Sequence, residues 1–469
     1  MVKYISAIKT LLLLLVVALM VSACNGDDKK VLHRDWNEIQ SEGVLRAITM
    51  SNSTSYFIYR GEEMGCEYEL IKQFADEHNL QLEIVVADSF ENIIELLTQG
   101  KGDIVVYDMP VNLKKRLKFI HCGPEMITNQ VLVQRNDTTL IKKVNDLVGK
   151  TIYVEKGTRY EVRAINLNKE IGGGVEILHN INDTTTTEGF IDAVANGNIN
   201  YTITDNISAA LNKSYYHNLN IGLEVGFSQR SAWLVNKKSP ALADSINSWV
   251  TQNNKNQKYI STLQKYFKMS KWGNEHVSPK EMAISLKNGV ISPYDHIFKQ
   301  YADSINWDWR LLASMAYNES QFDSSLVSWA GAKGIMQLMP ATARHFSDEG
   351  WNMTNNRENI AAATRYIASL DRSLRRKVED QEERVKFILA SYNSGLGHIF
   401  DAIALAEKYG KDPQVWFGNA EETLKLKNYP EYYTDSVCKC GYFKGKETLA
   451  YVEKVIELYR FYKQNMPEE

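Results

Sequence analysis

From Val44 the chain alternates short apolar runs with stretches whose apolar residues recur every three or four positions, the pattern of strands and helices taking turns. Val44-Leu45-Arg46-Ala47-Ile48 predicts a strand. Residues 69–78 predict a helix with Leu70, Ile71 and Phe74 on one face. A strand over 82–86, a helix over 90–99 and a strand over 103–107 complete a βαβαβ unit. A second unit follows, with strands over 151–154, 175–178 and 201–204 and helices over 159–166 and 188–196. Such alternation predicts parallel sheets covered by helices. The chain then returns through Ala232-Trp233-Leu234-Val235 and helices between Ala241 and Phe267, and a polar linker over 269–289 follows. Beyond residue 290 the pattern is helical. Asn306 and Asp308 are candidate N-caps ahead of Trp309-Arg310-Leu311-Leu312. On that helix Leu312, Met315, Ala316 and Glu319 fall at i, i+3, i+4 and i+7, so an acid stands in line with an apolar stripe. Partial desolvation there disfavours ionisation and predicts a raised pKa, as a general acid near neutral pH requires.

The first residues carry a different signal. Lys3 and Lys9 precede an apolar run from Leu11 to Val21, which suits a signal-peptide core, with a membrane helix as the alternative. The following Val21-Ser22-Ala23-Cys24 resembles the lipobox of bacterial lipoproteins. The resemblance implies removal of residues 1–23, diacylation of Cys24 and a lipidated tether over 24–35. Lipid on one residue anchors a protein by burying methylenes, at about 0.8 kcal/mol each, while the polypeptide stays outside the bilayer. Asn25 after Cys24 fits outer-membrane sorting with the protein facing the periplasm. Cys66, Cys122, Cys438 and Cys440 remain, with three possible pairings, of which Cys66 with Cys122 joins the nearest pair within one module. Cys438-Lys439-Cys440 lacks a second ligand pair and makes a poor metal site, so no metal is expected. With a net charge of -3 and a pI near 6.4, the chain exerts no long-range pull on nucleic acid, and no basic stripe tracks phosphates.

Residues 36–268 resemble the bilobal periplasmic amino-acid-binding protein family. Gly65-Cys66-Glu67-Tyr68-Glu69-Leu70 with Gln73-Phe74-Ala75 matches its first-helix signature, and Asn198 to Asp205 its late strand ending in an acid. The resemblance implies a ligand with a carboxylate held by Arg116 and Thr158 and an amine held by Asp205. A planar guanidinium binds carboxylate in bidentate fashion, and Gly157-Thr158 at a helix start offers free backbone donors. Asn112 stands where the family has Thr, and Lys118 to Cys122 depart from its usual Asp-Phe-Ser.

Residues 290–469 carry Asn318-Glu319-Ser320-Gln321-Phe322, Ser328, Gly331 through Pro340 with its Gly334-Ile335-Met336-Gln337 core, Ser391-Tyr392-Asn393-Ser394-Gly395, and Glu447 through Val452. In that order they resemble the soluble lytic transglycosylase family, whose fold is that of goose-type lysozyme. The fold class implied for the whole chain is multidomain: a bilobal α/β periplasmic-binding-protein fold followed by a mainly α-helical lysozyme-like domain. The resemblance further implies Glu319 as catalytic acid and base, Ser328, Met336 and Gln337 as cleft contacts, and Tyr392, Asn393, Glu447 and Tyr451 as support around the reacting sugar. No cofactor is required. The substrate the resemblance implies is the glycan strand of peptidoglycan, cleaved between N-acetylmuramic acid and N-acetylglucosamine to leave 1,6-anhydromuramoyl ends. An amino acid or muropeptide is the implied ligand of the first module, which then regulates the second. A lysozyme-type hydrolase and a non-catalytic receptor are the competing classes. Ordinary glycosidases use two carboxylates, and Asp323, the nearest second acid in sequence, is expected to face solvent or cap a turn.

Overall fold

The computed structural model describes residues 33–111, 118–137, 140–181, 186–213, 215–216, 218–267 and 290–466. Residues 1–23, Cys24, Arg116 and the linker over 269–289 lie outside them. No described helix is long and apolar enough to cross a membrane.

The chain enters through α1 (Trp36–Glu42), whose start is closed by a reciprocal pair, Asp35 accepting from the first turn and Glu38 reaching back to Asp35. It continues as β1 (Val44–Met50), β2 (Phe57–Tyr59), β3 (Glu62–Met64), α2 (Cys66–Glu77), β4 (Gln81–Ala87), α3 (Phe90–Thr98), β5 (Ile104–Pro110) and β6 (Phe119–Thr128). The second lobe holds β7 (Gln130–Arg135), β8 (Thr151–Tyr153), α4 (Arg159–Glu170), β9 (Glu176–Leu178), α5 (Thr187–Ala195), β10 (Thr202–Asp205), α6 (Asn206–Lys213) and β11 (Leu219–Glu224). β12 (Gln229–Asn236), α7 (Pro240–Asn253) and α8 (Gln257–Phe267) return to the first lobe.

Each lobe is built on a sheet. The first has the order β4-β1-β5-β12-β6 and the second β11-β7-β10-β8-β9. β1 runs parallel to β4 and β5, whereas β12 runs antiparallel to β5 and β6. Leu45, Ala47 and Ile48 are fully buried on both faces of β1, which is why this strand is a continuous apolar run rather than an alternating one. The chain crosses between lobes at Asn129, after β6, and again between β11 and β12. The sequence reading anticipated the central parallel strands and their helices but not β6, β7, β11 or the small β2–β3 hairpin.

One expectation is corrected. Cys66 and Cys122 are free, and both pack as small apolar groups in the first-lobe core. Burial pushes the Cys66 thiol well up, and does the same to Cys122.

The helical domain comprises α9 (Asp295–Asp303), α10 (Trp309–Ser320), α11 (Pro340–Phe346), α12 (Asn356–Leu374), α13 (Gln381–Ser394), α14 (Leu396–Lys408), α15 (Glu421–Leu426), α16 (Pro430–Tyr433) and α17 (Lys446–Asn465). Arg310 through Ala316 are all buried, so α10 is enclosed on every side by its neighbours rather than lying on a surface. Asp308 caps it and accepts from both the backbone and side chain of Arg310. That pairing lets a buried guanidinium open the helix at whose far end Glu319 stands.

Candidate active site

Glu319 occupies the last turn of α10, which stops at Gln321 in the left-handed conformation (φ 52°). Phe322 follows at φ 66°. Two consecutive non-glycine residues there mark a sharp, strained exit directly after the acid. Ser320 ties the exit to the next loop by donating to the carbonyl of Ile335 at 2.8 Å. The Glu319 side chain is 3 % exposed.

Its neighbour is a cation as well as the predicted apolar stripe. Arg60, at the tip of the β2–β3 hairpin, donates from Nη2 to Oε2 of Glu319 at 2.9 Å and from Nη1 to the carbonyl of Gln337 at 2.7 Å. The ion pair places a guanidinium directly on the carboxyl that a glycan would have to reach. Oε1 of Glu319, Nε of Arg60 and the hydroxyl of Tyr451 are buried without a hydrogen-bond partner among the described residues. Burial raises the Tyr451 hydroxyl well above the usual phenol range, and the Glu319 charge raises it further. The same two causes act on Tyr392.

The other predicted residues form the frame around this pair. Tyr392 on α13 is buried and donates to the carbonyl of Met336 at 2.7 Å, so its hydroxyl aligns the loop rather than the acid. Met336 is itself fully buried, and its backbone N–H donates to Asn359 at 2.8 Å. Gln337 sits at φ 47°, a costly conformation for this residue type. Its side chain holds that conformation by donating to the carbonyls of Leu326 and Gly334 at 3.0 and 2.9 Å. Ser328 closes its own turn by accepting from the Ala332 backbone at 3.0 Å. Met336, Gln337 and Ser328 therefore serve the shape of the loop in this arrangement. Asn393 accepts from Thr448 at 2.7 Å. With Glu447 it lines a cavity of about 520 Å³ beside the hairpin, bounded also by Phe57, Ile58, Tyr59, Trp329 and Tyr442. Asp323 is exposed and accepts from the backbone and hydroxyl of Ser325, which lower its pKa.

The hairpin is seated closely. A Cβ at Gly395 would lie 2.6 Å from the backbone nitrogen of Gly61, so only glycine fits there. His398 faces the Ile58 carbonyl at 3.1 Å. Lys427, fully buried, donates to Nδ1 of His398 at 2.9 Å and pairs with Asp401. Nε2 of that ring is therefore the one that carries hydrogen and donates to the hairpin. Burial, then the Lys427 charge, holds His398 well below the usual imidazole range. Arg60, His398 and Lys427 were absent from the sequence reading. A buried Arg or Lys gives no local signal, since only the fold shows that it is enclosed.

A second cavity, of about 770 Å³, opens between the two lobes. Thr158 and Asp205 line it, as expected. Thr158 caps α4 and donates to the Glu155 carbonyl at 2.6 Å. Among the described residues the guanidinium lining the cavity is that of Arg159; Arg116 lies outside them. Arg159 reaches across from the second lobe to Asp108 of the first at 2.7 Å and to Asp205 at 3.4 Å. Burial alone would raise Asp205, but the Arg159 charge and hydrogen bonds from Ser208 and Tyr160 hold it below the usual range. Burial, with Asp108 adding to it, pushes Glu67 up to about 8. Nη1 of Arg159, Oδ1 of Asp108 and Oε2 of Glu67 are buried without hydrogen-bond partners among the described residues.

All three bodies meet at Glu188 in the first turn of α5. Ser53 of the first lobe donates to one of its oxygens, and Tyr442 of the helical domain to the other at 2.6 Å. Asn428 donates to Asp192 at 3.2 Å and Lys444 to Asn212 at 2.7 Å, tying the helical domain further to the second lobe. Among the described residues no group of three or more His, Cys, Asp and Glu is placed to hold a metal.

Residues 47–269 match the family of bacterial extracellular solute-binding proteins, family 3, and residues 296–415 match the transglycosylase SLT domain. A solved mutant of ArgBP from T. maritima is 25% identical, with a TM-score of 0.43, covering 50% of this chain and 99% of that one. A membrane-bound lytic murein transglycosylase F from Pseudomonas fluorescens is 29% identical over 448 residues, 94% of this chain and 88% of that protein. The protein of that name from Desulfosudis oleivorans is 30% identical over 442 residues, 93% of this chain and 94% of its own length. With both modules in the same order and the alignment running nearly end to end, the chain belongs to the membrane-bound lytic murein transglycosylase F family, lyases acting on peptidoglycan.

Proposed function

We propose that Glu319 alone performs the proton transfers of the lyase reaction and that the β2–β3 hairpin holds it idle in the arrangement described here. The carrying observation is the Arg60–Glu319 pair: an acid held against a guanidinium, at 3 % exposure, under a hairpin from another module. When the hairpin withdraws, Glu319 takes up a proton and gives it to the glycosidic oxygen between N-acetylmuramic acid and N-acetylglucosamine. As the C1–O bond breaks, the 2-acetamido group stabilises the oxocarbenium-like charge. The carboxylate then takes the proton of the C6 hydroxyl, whose oxygen bonds to C1 and closes the 1,6-anhydro ring. Water takes no part. Ser328, Met336 and Gln337 shape the glycan-binding loop, and Asn393, Glu447, Tyr392 and Tyr451 surround the reacting sugar.

The cavity between the lobes is the regulatory site in this proposal. Arg159 Nη1 offers a donor to a carboxylate, and the free oxygens of Glu67 and Asp108 accept an ammonium group, so an amino acid or a wall-derived peptide matches it. Binding that prefers a different lobe closure strains the contacts of Glu188 and the hairpin together, which links ligand to cleft access. Lipid on Cys24 holds the enzyme at the outer membrane facing the periplasm, with residues 36–268 and 290–469 as its two working domains.

Mass analysis of products from purified peptidoglycan tests the chemistry. The expected products carry 1,6-anhydromuramic acid and no label from heavy-oxygen water, and Glu319→Gln loses about 10² to 10⁴-fold or more of the rate. Labelled reducing ends, or an active Glu319→Gln enzyme, overturn it. Cys24→Ala is expected to leave the membrane fraction, and its retention after a high-salt wash overturns the anchor.

A further inference from the structure

The loop from Ser328 to Gln337 carries an indole that this chemistry does not use. Trp329 is half-buried, and the rings around it belong to the first module: Tyr59 at 5.3 Å between centroids, Phe57 at 6.3 Å and Tyr266 at 6.4 Å. It projects from the helical domain into another body, alongside Ala330, Ala332 and Met339, which bury in the first-module core. It also lines the 520 Å³ cavity to which Asn393 and Glu447 contribute. Tyr59 adjoins Arg60, so the hairpin that covers Glu319 covers this indole too.

A flat apolar ring facing polar groups across a cleft matches a pyranose. The axial C–H faces of the sugar stack on the ring, while its hydroxyl and acetamido edges find donors and acceptors opposite. We propose that Trp329 is a specificity-determining residue of the glycan cleft, stacking an N-acetylated pyranose of the strand beside the scissile bond. In the arrangement described here, Tyr59 occupies the place of that sugar. The hairpin thus covers the acid with a cation and the sugar platform with an aromatic ring. This inference rests on the proposal that the hairpin withdraws from the cleft.

The test uses full-length Arg60→Ala protein, in which the hairpin latch is already broken, with Trp329 intact or changed to Ala or Phe. Each is titrated with the N-acetylglucosamine tetramer by calorimetry and assayed on soluble glycan strands. Trp329→Ala is expected to weaken tetramer binding and raise KM about tenfold, with kcat changed less than about twofold, the split expected when binding common to ground and transition states is lost. Trp329→Phe keeps a stacking face and recovers most of the affinity. Equal tetramer affinity and equal KM with and without the indole overturn the assignment, leaving Trp329 as a seat for the hairpin. If Arg60→Ala gains no activity over wild type, hairpin withdrawal is the idea that fails, a result separate from the affinity comparison.

Discussion

Arg60 and Arg159 each carry a buried guanidinium across a boundary between two bodies and place it on carboxylates of the other side. Arg60 joins the first lobe to the helical domain at Glu319, and Arg159 joins the second lobe to the first at Asp108. What differs is the space left over. Around Arg60 the hairpin is seated closely, with Gly61 against Gly395 and the Ile58 carbonyl on His398, and the neighbouring cavity is walled by Ile58 and Tyr59 rather than by Arg60. Around Arg159 an open cavity of about 770 Å³ remains, and unpartnered atoms of both signs line it. A buried ion pair contributes little net stability once desolvation is counted, so its presence alone does not reveal its role. In the proposed function the Arg60 pair is a stopper and the Arg159 pair is half of a binding site.

The largest expected effect falls on the open pair. Arg159→Met removes the carboxylate donor and leaves Asp108 and Asp205 buried without their counter-charge. Truncating one member of such a pair costs about 2 to 5 kcal/mol, so ligand affinity should fall about thirtyfold or more in calorimetry with amino acids and muropeptides. Unchanged binding would remove Arg159 from the ligand site and reopen the role of Arg116.

Arg60→Ala comes next. With the stopper gone, ligand-free enzyme should release soluble products about tenfold faster than wild type, and the gain from added ligand should shrink. An enzyme no faster than wild type would make the hairpin a scaffold and break the contrast between the two arginines.

Glu67 sharpens the comparison through pH. Its carboxyl is raised from about 4.5 to about 8, so folding favours its protonated form. The stability this provides is complete below pH 4.5 and is lost as pH rises through 8. Glu67→Gln cannot lose it, so the melting temperature of the variant relative to wild type should rise between pH 5 and 8 and then level off. A constant difference across that range would show that the cavity holds no proton. The smallest effect is expected for Asp323→Asn, which should keep its activity within about twofold. A large loss would point to a second carboxylate and a hydrolase.

Much of this architecture is legible in the sequence. The central strands β1 and β5 are largely buried on both faces and therefore appear as mostly apolar runs, and helix starts at Thr158 and Asp308 follow from caps whose side chains satisfy local N–H groups. Glu319 stands out as a candidate because an acid and a helical apolar stripe coincide within a few residues, and the structure places it at the buried end of α10. The β2–β3 hairpin was not legible, since strands of three residues carry too few positions to establish a period.

The sequence by itself thus determined the two modules, their order and the helix that bears Glu319, all of which depend on contacts between residues near one another in the chain or on periodicity along it. Tertiary structure decided the rest: that Arg60, 259 residues from Glu319, closes on it; that Arg159 lines the lobe cavity and bridges to Asp108; and that Cys66 and Cys122 stay apart. The reason is physical. A charge is ordinary on a surface and decisive when enclosed, and enclosure is set by which distant segments the packed cores bring together.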